Sequence, residues 1–107
     1  MPERFPSPEF SAEEQELIQA LKERFDDPGT KEKLNQWLDQ KEAWANEQNT
    51  GRANIEVNLM RAKLYAAAGF KDEAWGAFED VRTQAHNEGQ EDLLRDAEEG
   101  MDALEEV

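Results

Sequence analysis

One stretch, from Ile55 to Val81, limits the fold more than any other part of this 107-residue chain. It is typical of two helices joined by a tight turn at Gly69. On the first of these helices, apolar side chains recur at helical spacing along two nearly opposite sides. One stripe is Ile55, Leu59, Ala62 and Ala66, and the other is Val57, Met60, Leu64 and Ala67. A helix with two apolar sides needs neighbours on both, so the pattern predicts a central helix in an all-α domain.

Capping signals and further apolar stripes predict two helices before this hairpin. The run from Ser11 to Glu14 is a capping box, in which each of the two side chains satisfies a backbone N–H of the other residue. Asp26 to Gly29 is predicted to end that helix and form a turn, and Thr30 is predicted to cap the second helix. The polar run from Asn46 to Gly51 predicts a loop or a frayed helix end.

The fourth helix is predicted from Lys71 or Asp72 to Gly89, and a fifth from about Gln90 to Leu104. Gly76 lies inside the fourth helix, where glycine costs about 1 kcal/mol relative to alanine. That cost predicts a close helix crossing at Gly76. The sequence therefore predicts a compact array of about five antiparallel helices, because the connections between the helices are short.

The N-terminal segment differs in composition from the rest of the chain. Residues 1–10 contain three of the four prolines and predict an extended arm, which Phe5 and Phe10 would pin to a single helical domain over residues 11–107. The segment has no apolar signal-peptide core, and no apolar run in the chain reaches 18 residues. We therefore expect neither secretion nor a membrane span, and the cytoplasm is the expected compartment.

The formal net charge of −14 limits the partners that the chain can bind. From Glu88 to the end there are nine acids and one base, Arg95. Such a surface repels phosphate backbones and anionic membranes, so we expect no direct binding to nucleic acid or to a membrane. The acidity has two interpretations, which are simple solubility and attraction for a basic partner.

The residue types offer little material for catalysis. There is no cysteine, a single histidine, His86, and no glycine-rich phosphate loop. His86 is expected to be exposed or to interact with the end of the fourth helix. Asp92, Asp96 and Glu99 share a helix face, but a solvated acidic face is a simpler interpretation than a metal site. We therefore expect no catalytic residue, cofactor or metal, and hence no enzyme.

The central hairpin, over residues about 52–89, resembles a tetratricopeptide repeat, a helix-turn-helix unit of about 34 residues. With Gly69 at the turn, the small and aromatic positions of the motif are matched by Ala62, Tyr65, Ala74 and Phe78. The chain departs from the motif at Asn58, Arg61, Val81 and His86. The resemblance implies a binding module whose concave, peptide-binding surface is lined by the first helix. The residues of that helix expected to bind a partner are Glu56, Leu59 and Lys63.

Three hypotheses for the function follow from these features. The leading one is a protein–protein interaction module that binds a protein or peptide, with a basic partner as the sharper expectation. An alternative is an acidic decoy whose carboxylates imitate nucleic-acid phosphates and block a nucleic-acid-binding protein. Another is a homo-oligomeric structural protein with tryptophans buried between protomers. The sequence does not set the oligomeric state.

Overall fold

The computed structural model describes residues 10–105, which form five α-helices and, within that range, no strand. The helices are α1 (Ala12–Arg24), α2 (Pro28–Gln48), α3 (Gly51–Ala68), α4 (Lys71–Glu88) and α5 (Glu91–Glu105). The predicted all-α fold of five helices is confirmed. The predicted N-terminal arm lies outside the described residues except for Phe10, which packs partly buried against α1, α2 and α3.

The last three connections are built alike. Asn49, Gly69 and Gly89 follow one another at intervals of 20 residues, and each adopts a left-handed backbone conformation, with φ of 54°, 88° and 72°. Such a residue ends a helix and lets its backbone N–H bond a carbonyl of the last turn. Only one further residue precedes the next helix in each case, so consecutive helices fold back on one another.

Helix α3 lies at the centre of the molecule and packs against each of the other four helices. On one side, Ile55, Leu59 and Ala62 join a core with α4 and α5. On the other side, Leu64 and Ala68 join a core with α1 and α2. Beyond its first residue, α3 has only Asn54 exposed. The two apolar stripes therefore predicted the central position of this helix correctly, and within residues 12–105 neither α1 nor α2 packs against α4 or α5.

The capping box at the start of α1 is confirmed. The Ser11 hydroxyl accepts a hydrogen bond from the Glu14 N–H at 3.1 Å, and the Glu14 carboxylate accepts one from the Ser11 N–H at 2.9 Å. The second carboxylate oxygen of Glu14 accepts a further bond, at 2.8 Å, from the indole Nε1 of buried Trp37 on α2. One glutamate therefore both begins α1 and joins α1 to α2.

The beginning of α2 differs from its prediction. Asp27 caps the helix through the Thr30 N–H, and Pro28 opens its first turn, whereas Thr30 is a buried residue of the helix. Proline suits that position because the first-turn N–H groups have no partner within the helix. The polar run from Asn46, predicted as a loop or a frayed helix end, is the end of α2 as far as Gln48, so only Asn49 and Thr50 connect α2 to α3.

The predicted helix crossing at Gly76 is wrong. Gly76 is exposed on α4, and a Cβ added there would meet no atom within 4 Å. The close approach lies instead at Gly100 on α5, where an added Cβ would overlap the ring of Phe78. A glycine inside a helix either makes room for a close contact with another element or simply lowers the stability of the helix. The local sequence does not distinguish these two cases.

Candidate functional site

A groove of about 470 Å³ runs between α3 and α5, and we call it the α3/α5 groove. Its floor is apolar and its walls carry charged side chains, a combination typical of ligand sites. The floor consists of Ala66, Phe78 and Leu104. The remaining lining residues are Phe10, Lys63, Asp96, Glu99, Gly100 and Ala103.

Small residues on α5 give the groove its depth. Gly100 and Ala103 face it three residues apart, and neither extends a long side chain across the space. Phe78 comes from α4 below and is only 2% exposed, so its ring forms a fixed base beneath α5. The groove is therefore an open space above a packed core.

The two walls carry opposite charges. Asp96 and Glu99 lie on the α5 wall, three residues apart and hence side by side on one helix face. Lys63 lies on the α3 wall. Asp96 is half-buried and Glu99 is exposed. Among the described lining residues, two carboxylates of α5 thus stand beside an apolar floor and across from a lysine of α3.

A second, smaller groove of about 200 Å³ adjoins the first, and Phe10 and Lys63 line both. Its other lining residues are Glu14, Trp37, Lys41 and Met60. Together the two grooves extend across α3 from the start of α1 to α5. The two grooves are therefore neighbours on one face of the molecule and share Phe10 and Lys63 as lining residues.

Glu14 carries the negative charge of the smaller groove. Its side chain is 12% exposed, and its carboxylate lies 3.6 Å from the Lys41 Nζ. Burial is the largest single influence and raises the pKa of Glu14. The hydrogen bonds from the Ser11 N–H, the Trp37 indole and Lys41, together with the Lys41 charge, outweigh burial, so the net pKa is lowered. This carboxylate is therefore fixed in place and ionised.

An arginine cluster joins the beginnings of the two groove-forming helices. The Arg52 guanidinium on α3 donates two hydrogen bonds to the Asp92 carboxylate on α5, at 3.0 and 2.6 Å. It also donates to the Gln90 amide oxygen at 2.7 Å and lies 3.3 Å from Glu56. The hydrogen bonds from Arg52, followed by its charge, lower the pKa of Asp92 to about 2. This two-pronged pair links α3 to α5 at the surface, near the first residues of both helices.

The three residues expected to bind a partner occupy three different environments. Lys63 lines both grooves. Glu56 is partly exposed and belongs to the Arg52 cluster. Leu59 is 6% exposed within the core formed with α4 and α5, and so presents little surface to a partner. The binding role itself stays a prediction.

Sequence reasoning missed the α5 wall. The shared face of Asp92, Asp96 and Glu99 was visible, but its position opposite Lys63 depends on how α5 packs across α3. The useful signal was the pair of small residues, Gly100 and Ala103, bordering the apolar stripe of α5. In this chain, these small side chains leave open the space that Asp96 and Glu99 line.

Other surface features lie apart from the grooves. Phe25 is 57% exposed and contacts Phe70 edge-on, with ring centroids 6.0 Å apart, while Tyr65 stacks on Phe70. His86 is exposed in the last turn of α4, and Trp75 is partly buried against the core. Over residues 10–105, no three His, Asp or Glu side chains are arranged to hold a metal ion. None of the five described helices combines the length and hydropathy of a membrane span.

Comparison of the chain with models of known protein families, with curated proteins and with solved structures found no match. The chemistry of the two grooves is therefore the basis for the function proposed below.

Proposed function

We propose that the chain is a non-catalytic protein-interaction module that binds a peptide segment in the α3/α5 groove. The observation that carries this proposal is the groove itself, with an apolar floor, charged walls and a volume within the range of about 300–1,000 Å³ that ligand sites occupy. Peptide-binding grooves combine these features, since the floor supplies affinity and the polar rim supplies orientation.

The rigidity of the groove supports the same proposal. The packing of Phe78 beneath α5 holds that wall in position before any partner arrives, and the exposed Arg52–Asp92 pair adds a surface link between α3 and α5. A preformed site avoids part of the entropic cost of ordering side chains and loops on binding. A peptide can therefore bind here without rearrangement of the helices.

We also propose that the hairpin of α3 and α4 acts as a tetratricopeptide-like unit, with α5 packed against both helices. In support, the small motif residues Ala62 and Ala74 are fully buried between helices, and Phe78 is 2% exposed. Asn58, a departure from the motif, donates a hydrogen bond to the Gln84 side chain of α4 at 2.9 Å. A polar contact therefore joins α3 to α4 at Asn58, where the sequence differs from the motif.

A selection experiment tests the proposal. The full chain is immobilised and presented with a library of random peptides roughly a dozen residues long, and the affinity of the recovered peptides is measured by calorimetry. Ala103→Trp fills the groove from an exposed position and should weaken binding about tenfold or more. Ala43→Trp, at an exposed position on α2 outside both grooves, is the matched control and should leave affinity unchanged.

Two results would contradict the proposal. The first is recovery of no peptide that binds above background. The second is equal affinity of the Ala103→Trp and Ala43→Trp variants for every recovered peptide, because binding would then lie elsewhere on the surface.

One observation favours the acidic decoy as a second candidate. The outward face of α5 exposes Glu91, Glu98, Asp102 and Glu105 to solvent. A decoy would compete with DNA for a DNA-binding domain, and its binding would weaken steeply as salt rises. The double variant Asp102→Asn with Glu105→Gln should weaken binding of a decoy to the DNA-binding domain. The same variant should not weaken binding of a peptide in the α3/α5 groove.

A further inference from the structure

Resting on the proposed function, we propose that the α3/α5 groove selects cationic peptides. The ligand would place an apolar side chain over Ala66, Phe78 and Leu104. An arginine or lysine close to that side chain would pair with Asp96 and Glu99.

The arrangement of the α5 wall carries this inference. Asp96 and Glu99 are one helical turn apart and line the same space, so both carboxylates can reach one cation. A guanidinium can donate hydrogen bonds from several of its N–H groups to these carboxylates at once. The adjacent apolar floor displaces water from one side of the pair, which strengthens the charge interaction relative to open solvent.

Among the described lining residues, the negative charge of the α3/α5 groove lies on α5, at Asp96 and Glu99. A cation of the ligand would therefore be drawn to that wall. The whole chain carries −14, so the surrounding potential attracts a cationic peptide and repels an acidic one.

A pair of charge-neutralising variants tests the selection. The probe is the tightest peptide recovered from the random library, together with the same peptide in which every Arg and Lys is replaced by Gln. Asp96→Asn with Glu99→Gln removes both wall carboxylates. Asp102→Asn with Glu105→Gln removes the same charge from the exposed outer face and is the matched control.

Recovered peptides should be rich in Arg or Lys, and the groove variant should bind the probe about tenfold more weakly or worse. The outer-face variant should change affinity by less than about twofold, which is a small electrostatic effect at a distance. The Gln-substituted peptide should lose affinity for the unmodified chain to a similar extent, and that comparison needs no protein variant.

Equal affinity of the basic and Gln-substituted peptides would overturn the inference and leave the peptide-binding function standing. An equal loss in the two protein variants would also overturn it, because the charge would then act at long range. Failure to recover any peptide would instead contradict the proposed function itself.

Discussion

The ring of Phe78 on α4 occupies the space into which a side chain at Gly100 on α5 would project. A Cβ at Gly100 would lie 2.9 Å from the Cε2 atom of Phe78 and closer still to Cζ. Because Phe78 is 2% exposed and packed among core residues, a side chain at position 100 could be accommodated only by displacing its ring. The same contact sets the distance between α4 and α5 and supplies the floor of the α3/α5 groove, so it connects the fold to the site.

Gly100→Ala should therefore destabilise the protein although alanine favours a helix. Overpacking a core typically costs about 1–3 kcal/mol, which exceeds the gain in helix propensity of about 1 kcal/mol. Chemical denaturation followed by circular dichroism measures the change in the free energy of unfolding.

Gly76→Ala provides the matched control for this prediction, since Gly76 also lies within a helix but faces open space. That substitution should stabilise the protein by about 1 kcal/mol. Stabilisation by both substitutions would show that the ring of Phe78 does not restrict position 100.

Because α3 contributes residues to both cores, the two halves of the molecule should unfold in one cooperative transition, even when a core residue of α3 is truncated. Leu64→Ala removes a fully buried side chain from the core shared with α1 and α2, at an expected cost of about 2–5 kcal/mol. Trp37 reports on that core and Trp75 on the core shared with α4 and α5. In single-tryptophan forms of the Leu64→Ala variant, the two fluorescence transitions should coincide. Separate midpoints would mean that the two cores are independent.

Loss of the Glu14 carboxylate should destabilise more than loss of a neighbouring acid in the same turn. Glu14→Ala removes one half of the capping box and leaves the buried Trp37 indole without its acceptor, at an expected cost of about 1–3 kcal/mol. Glu13→Ala removes an exposed acid and should cost less than about 0.5 kcal/mol. Thermal unfolding measures the loss of stability in each variant. Equal losses in Glu14→Ala and Glu13→Ala would argue against the link between α1 and α2.

The Arg52–Asp92 pair predicts a loss of stability in acid. The pKa of Asp92 is lowered from 3.8 to about 2, so its contribution is fully present above about pH 4. That contribution to stability declines as the pH falls toward 2, because protonation of Asp92 removes the negative charge that pairs with Arg52. Asp92→Asn should flatten the dependence of the unfolding free energy on pH between these values. An unchanged slope in Asp92→Asn would contradict the pairing.

Features set by neighbouring residues could be predicted from the sequence. The capping box of Ser11 and Glu14 and the stop at Gly69 depend on a few consecutive positions. The two apolar stripes of α3 predicted its central position because a helix period is visible in one segment. For the polar run from Asn46 the sequence left a loop and a helix end both open, because the same residue types favour both, and the run proves to be the end of α2.

Contacts between distant residues could not be predicted. Glu14 bonds Trp37 across 23 positions, and Arg52 bonds Asp92 across 40, so no local pattern indicates either pair. Leu59 was predicted both in an apolar stripe of α3 and on a partner-binding surface, and the contacts that bury it are again between distant residues. Its stripe had to be covered by some neighbouring helix. The packing of α4 and α5 on α3 places Leu59 in the core and leaves Lys63 to line the groove.

Mapping of peptide binding by nuclear magnetic resonance tests the central claim most directly. The full chain, labelled with ¹⁵N, is titrated with the tightest peptide from the library, and backbone amide shifts are followed. Binding in the groove predicts the largest shifts at Lys63, Ala66, Asp96, Glu99 and Ala103, with small shifts on the outer face of α5. Shifts concentrated instead around Phe25 and Phe70, or on the outer acids of α5, would contradict the claim that the α3/α5 groove is the binding site.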